Sequence, residues 1–199
     1  MHTSPVLLLD IMSTVVYDPF LVELPGFFNM SFQELIRDKD PGAWPAFERG
    51  ELDEIGFWQT FFKDRRQVDV EGIRRALQDA YVFLPGMEAL LEELRAAQVP
   101  MHALSNYPVW WEMIEHKLRL SRFMSWDFVS CKMGVRKPDP RIYTRAADAL
   151  GVDPGDCVFV DDRATNCNGA RAVGMRAIEF HDAAQLRQQL RALLAPHPR

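Results

Sequence analysis

The feature that most constrains the fold is a regular alternation of short apolar runs with longer amphipathic stretches. The runs cover residues 5–10, 100–105, 126–130, 157–162 and 175–180. Short, continuous apolar runs are typical of strands buried on both faces of a parallel sheet. The stretches between and after them have helical spacing of apolar residues, over 86–97, 110–118, 140–150, 165–173 and 183–194. The alternation predicts an α/β fold: a parallel sheet with right-handed crossovers and helices on both faces.

One long segment departs from this alternation. Residues 18–81 contain four amphipathic helical patterns and no strand pattern, directly after the first apolar run. The patterns cover residues 31–38, 44–49, 53–63 and 70–81. We therefore predict a small inserted α-helical cap over 18–81, and a core formed by 1–17 and 82–199.

Composition and charge exclude several classes of protein. A hydrophobic content of 48% argues against a disordered chain. A net charge of −5, with no dense Lys/Arg cluster, argues against nucleic-acid binding. No apolar run approaches the roughly 20 residues that span a bilayer, so no membrane partner is expected. The sequence leaves the oligomeric state open.

The cysteines and the first residues bear on the compartment. Cys131, Cys157 and Cys167 are odd in number and lack CxxC spacing, which argues against a disulfide framework or a zinc site. Residues 1–9 have no positive region and no small-residue cleavage site, so no secretory signal is expected. The predicted location is the cytoplasm.

Polar residues stand where the predicted strands end, or shortly beyond. They are Asp10, Ser105, Asn106, Lys137, Asp161 and Asp162. In open parallel sheets, ligands bind at this edge. Mg²⁺ prefers oxygen ligands and commonly uses one or two carboxylates, water and substrate phosphate. It would fit between Asp10 and the Asp161/Asp162 pair, with Ser105 and Lys137 facing phosphoryl oxygens.

Four segments resemble, in order, the four motifs of the haloacid dehalogenase-like hydrolase superfamily. They are DIMST at 10–14, LSN at 104–106, RKPDP at 136–140 and VDDRATN at 160–166. The resemblance spans the chain, including the predicted cap, and implies a Rossmann-like core and an Mg²⁺-dependent phosphatase. It also implies that Asp10 is the nucleophile and forms an aspartyl-phosphate that water hydrolyses.

The resemblance assigns further roles residue by residue. The implied metal ligands are the Asp10 side chain, the main-chain carbonyl of Met12, and Asp162 with Asp161 beside it. The implied contacts to the substrate come from Met12, Ser105, Asn106 and Lys137. The catalytic set is Asp10, Ser105 and Lys137, whose ammonium would also keep Asp10 ionised.

Met12 departs from the family pattern. Phosphatases of the superfamily usually carry an aspartate two residues after the nucleophile, as general acid and base. Its loss removes a contribution of roughly 10²–10⁴-fold, and phosphate-ester hydrolases can reach accelerations of about 10²¹, so an inert protein does not follow. We expect aryl or acyl phosphates to be cleaved better than alkyl ones, unless Ser13, a cap hydroxyl or a metal-bound water supplies the proton.

A narrower resemblance concerns the substrate. Segments 10–12, 16–20 and 105–108, with the tryptophan pair at 110–111, are similar to plant plastid members of the superfamily, one of which is a flavin mononucleotide (FMN) hydrolase. The prediction is a phosphatase acting on a small phosphorylated metabolite, with FMN as a candidate. One alternative is a catalytically weakened protein that binds a metabolite or partner. Another is a 2-haloacid dehalogenase, which the Asp161-Asp162 pair disfavours because dehalogenases generally lack it.

Overall fold

The core is a five-stranded parallel sheet in the computed structural model, which describes residues 5–194. The strand order is β3-β2-β1-β4-β5. The strands are β1 (Val6–Leu9), β2 (Met101–Ser105), β3 (Ser125–Val129), β4 (Cys157–Asp161) and β5 (Arg176–Glu179). Each lies within one residue of a predicted run, and the α/β prediction is confirmed.

The register of the central strand explains the shared edge. Every residue of β1 is buried, as expected for a strand with a neighbour on each side and helices on both faces. Leu9 pairs with Ala103 of β2 and with Val160 of β4. The residues that follow these three therefore emerge side by side, at the point where the strand order reverses and ligand sites form.

Between β1 and the next core helix the chain forms five helices. They are α1 (Glu23–Phe27), α2 (Phe32–Asp38), α3 (Ala43–Glu48), α4 (Glu54–Phe61) and α5 (Val70–Ala80). The last four match the predicted patterns, and their starts have local causes: Ser31 forms a capping box with Glu34, and Asp53 caps α4. Helix α1 was not predicted, because Pro25 and Gly26 make its sequence a poor helix former. It packs against α5.

The remaining helices cover the two faces of the sheet. They are α6 (Met87–Ala96), α7 (Trp111–Leu118), α8 (Ser130–Met133), α9 (Pro140–Leu150), α10 (Ala164–Ala172) and α11 (Ala183–Leu194). Side chains alternate along β1, so Leu8 packs with α9 and α10, while Leu7 and Leu9 join the larger apolar cluster on the other face. The short α8 was not predicted.

The helical segment leaves and rejoins the sheet through two adjacent connections. The Tyr17 amide donates to the Val82 carbonyl at 2.9 Å, and the Leu84 amide donates to the Val15 carbonyl at 2.9 Å. This pairing fixes where the segment begins and ends relative to β1. The division into a core and an 18–81 cap stays a prediction. No helix within residues 5–194 has both the length and the apolar character that a membrane span requires.

Candidate active site

Three donors converge on one oxygen of Asp10, immediately after β1. Asp10 Oδ1 accepts from the Ile11 amide at 2.8 Å and from Ser105 Oγ at 3.0 Å, and Lys137 Nζ lies 2.9 Å away. Within residues 5–194, no protein donor forms a hydrogen bond with Oδ2. The carboxylate is thus oriented through one oxygen, and the other is available for chemistry.

Lys137 connects the acidic groups across the strand edge. Its side chain is 1% exposed, and Nζ lies 2.6 Å from Asp161 Oδ2. Asn106 holds the Lys137 main chain: it donates to the Lys137 carbonyl at 2.9 Å and accepts from the Lys137 amide at 2.7 Å. The predicted substrate contact Asn106 therefore uses its side chain to position the lysine, although the residue also borders the cavity described below.

Asp161 and Asp162 differ in their surroundings. Asp161 is fully buried, and besides Lys137 it accepts from the Arg163 amide at 2.8 Å and from Asn166 Nδ2 at 3.0 Å. Asp162 is half-buried and borders the cavity. The hydrogen bonds of Asp161 suit it to hold Lys137 and the loop, while Asp162 is the more accessible carboxylate.

Burial and crowding of acids alter the protonation of this cluster. Burial, with smaller contributions from Asp161 and Asp162, raises the pKa of Asp10 to about 7. The Lys137 ammonium lowers that pKa, as expected, but burial is the larger effect. Burial and the neighbouring Asp161 also raise the pKa of Asp162. For Lys137, burial lowers the pKa, but the charges of Asp10 and Asp161 outweigh it, so the ammonium keeps its proton.

The acidic cluster meets the requirements of a hard cation. One carboxylate oxygen from each of Asp10, Asp161 and Asp162 lies within 4.8 Å of the others. Asp10 and Asp161 share one ammonium, and burial together with neighbouring acidic charge raises the pKa values of Asp10 and Asp162. Mg²⁺ would supply positive charge to the cluster and accepts oxygen ligands only. The residues present fit the predicted cofactor.

The turn after Asp10 presents residue 12 to the cavity. The Val15 and Val16 amides both donate to the Ile11 carbonyl, at 2.9 and 2.8 Å. Ser13 completes the turn with φ of 58°, a left-handed conformation that is uncommon for residues other than glycine. Met12 and Ser13 both border the cavity. Position 12 thus borders the cavity with a thioether, which cannot donate a proton.

The cavity above the strand edge has a volume of about 370 Å³ and includes residues that sequence reasoning missed. These are Asp18, Phe20, Ile36, Lys39, Glu48, Tyr107, Arg136, Arg163 and Asn166. Arg136 and Arg163 stand next to predicted site residues, which is a signal that could have found them. Glu48 lies at the end of α3, and Lys39 directly follows α2. The sequence of these two helices indicated only an amphipathic pattern.

Glu48 attaches the helical segment to the core beside the cavity. It is 5% exposed and lies 2.7 Å from Arg136 Nε, and it accepts from Trp44 Nε1 at 2.8 Å. Ser130 Oγ donates to the Glu48 carbonyl. A buried carboxylate is stable only when paired, so this contact holds α3 against the loop that carries Lys137.

Most aromatic residues of the helical segment form its own core. Phe47 and Phe57 stack with ring centroids 4.3 Å apart, and Trp110 packs against both rings and against Trp58. Trp44 also borders the cavity, where the centroid of its ring lies 4.9 Å from that of Phe20.

Comparison with known proteins relates this geometry to a family. The sequence model of haloacid dehalogenase-like hydrolases matches residues 27–174. Flavin mononucleotide hydrolase 1 of Arabidopsis thaliana, named as chloroplastic, is 44% identical over 186 residues, which cover 94% of this chain and 76% of that protein. A sesquiterpene phosphatase of Aspergillus oryzae is 28% identical over 162 residues, covering 76% and 79%.

Solved structures show the same fold. A haloacid dehalogenase family enzyme from Bacteroides thetaiotaomicron, in complex with magnesium and inorganic phosphate, superposes with a TM-score of 0.75 at 21% identity. The alignment covers 92% of this chain and 99% of that one. At this identity the similarity concerns the fold.

Proposed function

This chain belongs to the haloacid dehalogenase-like hydrolase family and is a phosphatase of that family, and we propose that it acts through a phosphoryl intermediate on Asp10. The observation that carries the proposal is the convergence of Ser105, Lys137 and a main-chain amide on Asp10 Oδ1, which leaves Oδ2 without a protein donor among the described residues. A carboxylate fixed in this way is suited to attack phosphorus.

The protein groups divide the work of phosphoryl transfer. Asp10 Oδ2 attacks, the bond from phosphorus to the leaving oxygen breaks, and water later releases phosphate from the aspartyl-phosphate. Lys137 orients Asp10 and places a fixed positive charge where the phosphoryl oxygens arrive, and Ser105 adds a hydroxyl donor. Charge placed in advance inside a buried site is the main source of catalysis in this reaction.

The cofactor proposed for the site is Mg²⁺. Asp10, Asp162, the Met12 carbonyl and, less directly, Asp161 would hold it. When bound, the ion neutralises developing charge on the phosphoryl oxygens. The fit of the carboxylate cluster supports this assignment.

The proposed substrate is a small phosphorylated metabolite, with FMN as the first candidate. The 44% identity to the Arabidopsis FMN hydrolase supports it, as do the neighbouring rings of Trp44 and Phe20, which border the cavity. In this proposal residues 18–81 are the cap that encloses the substrate. The cytoplasm stays the proposed location, which free Cys131, Cys157 and Cys167 fit, while the Arabidopsis relative is named as chloroplastic.

The experiment is a phosphate-release screen over FMN, nucleotides, sugar phosphates and 4-nitrophenyl phosphate, each with Mg²⁺ and with EDTA. We expect Mg²⁺-dependent release that Asp10→Asn abolishes while the variant keeps its fold by circular dichroism. Activity that survives in Asp10→Asn would remove the covalent mechanism. Equal release in Mg²⁺ and EDTA would remove the cofactor assignment.

Met12 is the observation that favours a second candidate, a weakened enzyme that binds a metabolite or partner. Beryllium fluoride mimics a phosphoryl group on aspartate. With Mg²⁺ it should raise the melting temperature of a working site, and no rise with either reagent would favour the binding role. Halide release from a 2-haloacid in EDTA would instead identify a dehalogenase.

A further inference from the structure

Hydrolysis of an alkyl phosphate needs a proton donor that position 12 does not provide. The leaving alkoxide is a strong base, and general acid catalysis accelerates its departure by roughly 10²–10⁴-fold. Besides Lys137, the cavity is bordered by seven side chains that could transfer a proton. They are Asp10, Ser13, Asp18, Lys39, Glu48, Tyr107 and Asp162.

Several of these groups are already committed. Asp10 is the nucleophile and Asp162 belongs to the metal cluster. Glu48 is paired: Oε1 accepts from Trp44 Nε1 at 2.8 Å, and Oε2 lies 2.7 Å from Arg136 Nε in an ion pair without hydrogen-bond geometry. The Tyr107 hydroxyl shares a 2.7 Å hydrogen bond with Tyr81.

The hydroxyls are also poor acids. Burial raises the pKa of Tyr107 well above its usual range, and a serine hydroxyl such as that of Ser13 is a far weaker acid than a carboxyl. An efficient general acid has a pKa near the working pH. The remaining candidates for the proton donor are Asp18 and Lys39, and replacing each of them in turn separates the two.

We propose that Asp18 is the general acid and base of this site, in place of the side chain at position 12. Its Oδ1 accepts from the Phe20 amide at 3.0 Å, and within the described residues no donor forms a hydrogen bond with Oδ2. The main chain beside it is anchored to the core by the Tyr17–Val82 hydrogen bond. Asp18 is therefore held at the cavity with one oxygen available.

The surroundings of Asp18 favour the protonated form that donation requires. Burial raises its pKa; the Phe20 amide and the Arg163 charge oppose the rise, and Glu23 adds to it. The charge of Asp18 in turn contributes to the raised pKa values of three hydroxyls, those of Tyr17, Tyr81 and Tyr107.

The role accounts for each proton in both half-reactions. When Asp10 Oδ2 bonds to phosphorus, the bond to the leaving oxygen breaks and that oxygen takes the Asp18 proton, releasing the alcohol. The Asp18 carboxylate then removes a proton from water as the water oxygen attacks phosphorus. The Asp10–phosphorus bond breaks, phosphate leaves, and both side chains return to their starting states.

The test compares two leaving groups and rests on the proposed phosphatase function. We would measure kcat/KM in Mg²⁺ for FMN, an alkyl ester, and for 4-nitrophenyl phosphate, whose leaving group needs little protonation. Asp18→Asn should lower the FMN value by about 10²–10⁴-fold and the aryl value far less. Asp18→Glu, which keeps the carboxyl, should retain more FMN activity than Asp18→Asn.

Controls distinguish a proton donor from a structural residue. Asp18→Asn keeps an oxygen to accept from the Phe20 amide, so its melting temperature should stay close to that of the wild type. Asp148→Asn makes the same change at an exposed position of α9 and should alter neither rate. Lys39→Met and Glu48→Gln should change both esters by a similar factor.

Three results would overturn the proposal: equal loss of both activities in Asp18→Asn, no loss of either, or an FMN-selective loss in Lys39→Met or Glu48→Gln instead. If the wild type cleaves no phosphate ester at all, the proposed function fails, and the role of Asp18 fails with it. The first three results leave the phosphatase function standing.

Discussion

Replacing Lys137 by methionine tests the charge arrangement on which the site depends. The substitution keeps an apolar stem of similar length and removes an ammonium that is 1% exposed and lies 2.9 Å from Asp10 and 2.6 Å from Asp161. Asp10 and Asp161 would then lose the ammonium that both of them contact. Removing one partner of a buried ion pair costs about 3–5 kcal/mol. For a chain of this size, that free energy corresponds to a fall in melting temperature of roughly 6–20 °C.

The cost of Lys137→Met should depend on pH and on Mg²⁺. Because the ammonium lowers the pKa of Asp10, its removal moves that pKa further up. Below it the carboxyl is neutral and needs no partner, so the penalty should be smaller at pH 6 than at pH 8. Mg²⁺ supplies the missing charge to the cluster and should reduce the difference in stability between variant and wild type.

The assay is urea unfolding at pH 6 and pH 8, in EDTA and in Mg²⁺. Lys117→Met is the matched control: Lys117 is exposed on α7, where Nζ donates to the Asp79 carbonyl at 2.6 Å, and its loss should shift stability by about 1 kcal/mol. A penalty for Lys137→Met below about 1 kcal/mol in EDTA at pH 8 would refute the reasoning, because the ammonium would then not be balancing buried carboxylates.

Three further predictions follow from the same structure. Met12→Asp made in the Asp18→Asn background should restore part of the lost FMN hydrolysis; steady-state kinetics that show no recovery would argue against a missing proton donor. In EDTA, the pKa of Asp10 is about 7 in the folded protein, above its ordinary value of 3.8, so its contribution to stability is present at low pH and is lost as pH rises towards 7. Urea unfolding should therefore show the wild type losing stability relative to Asp10→Asn between about pH 4 and pH 7, on the order of a few kcal/mol, and a gain would contradict the shift. Gly50 has φ of +70°, and a Cβ there would lie 2.5 Å from the Cys131 carbonyl, whereas Gly134, at +66°, has open space. Both Ala variants should lose about 1–2 kcal/mol for the left-handed conformation, with Gly50→Ala the more destabilised by thermal melting; equal losses would mean that the clash is relieved.

Prediction from sequence succeeded where burial follows a local pattern. The five strands were found because each is a continuous apolar run, and burial on both faces produces that pattern directly. The meeting of Asp10, Ser105 and Asp161 at one edge was predictable because they stand where such runs end, and the ends of parallel strands share one edge. The short α1 was missed because Pro25-Gly26 opposes helix formation locally, and packing against α5 overrides that preference.

Prediction failed where a residue's role depends on contacts distant in sequence. Glu48 belongs to a short amphipathic helix, and its sequence neighbours do not indicate burial. Its partner Arg136 is brought to it only when α3 docks beside the loop that carries Lys137. Asp18 was unremarkable for the same reason, since its place at the cavity depends on the pairing of Tyr17 with Val82.

The amino-acid sequence alone determined the parallel sheet, the helical segment and the acids and lysine at the strand ends, because strand burial and chain order are encoded in periodicity. Tertiary structure decided which oxygen of Asp10 is held and which is open, how strongly burial shifts its protonation, and which side chains from the helical segment face it. Those properties depend on distances between side chains and on the exclusion of water, and both exist only once the helices have packed on the sheet.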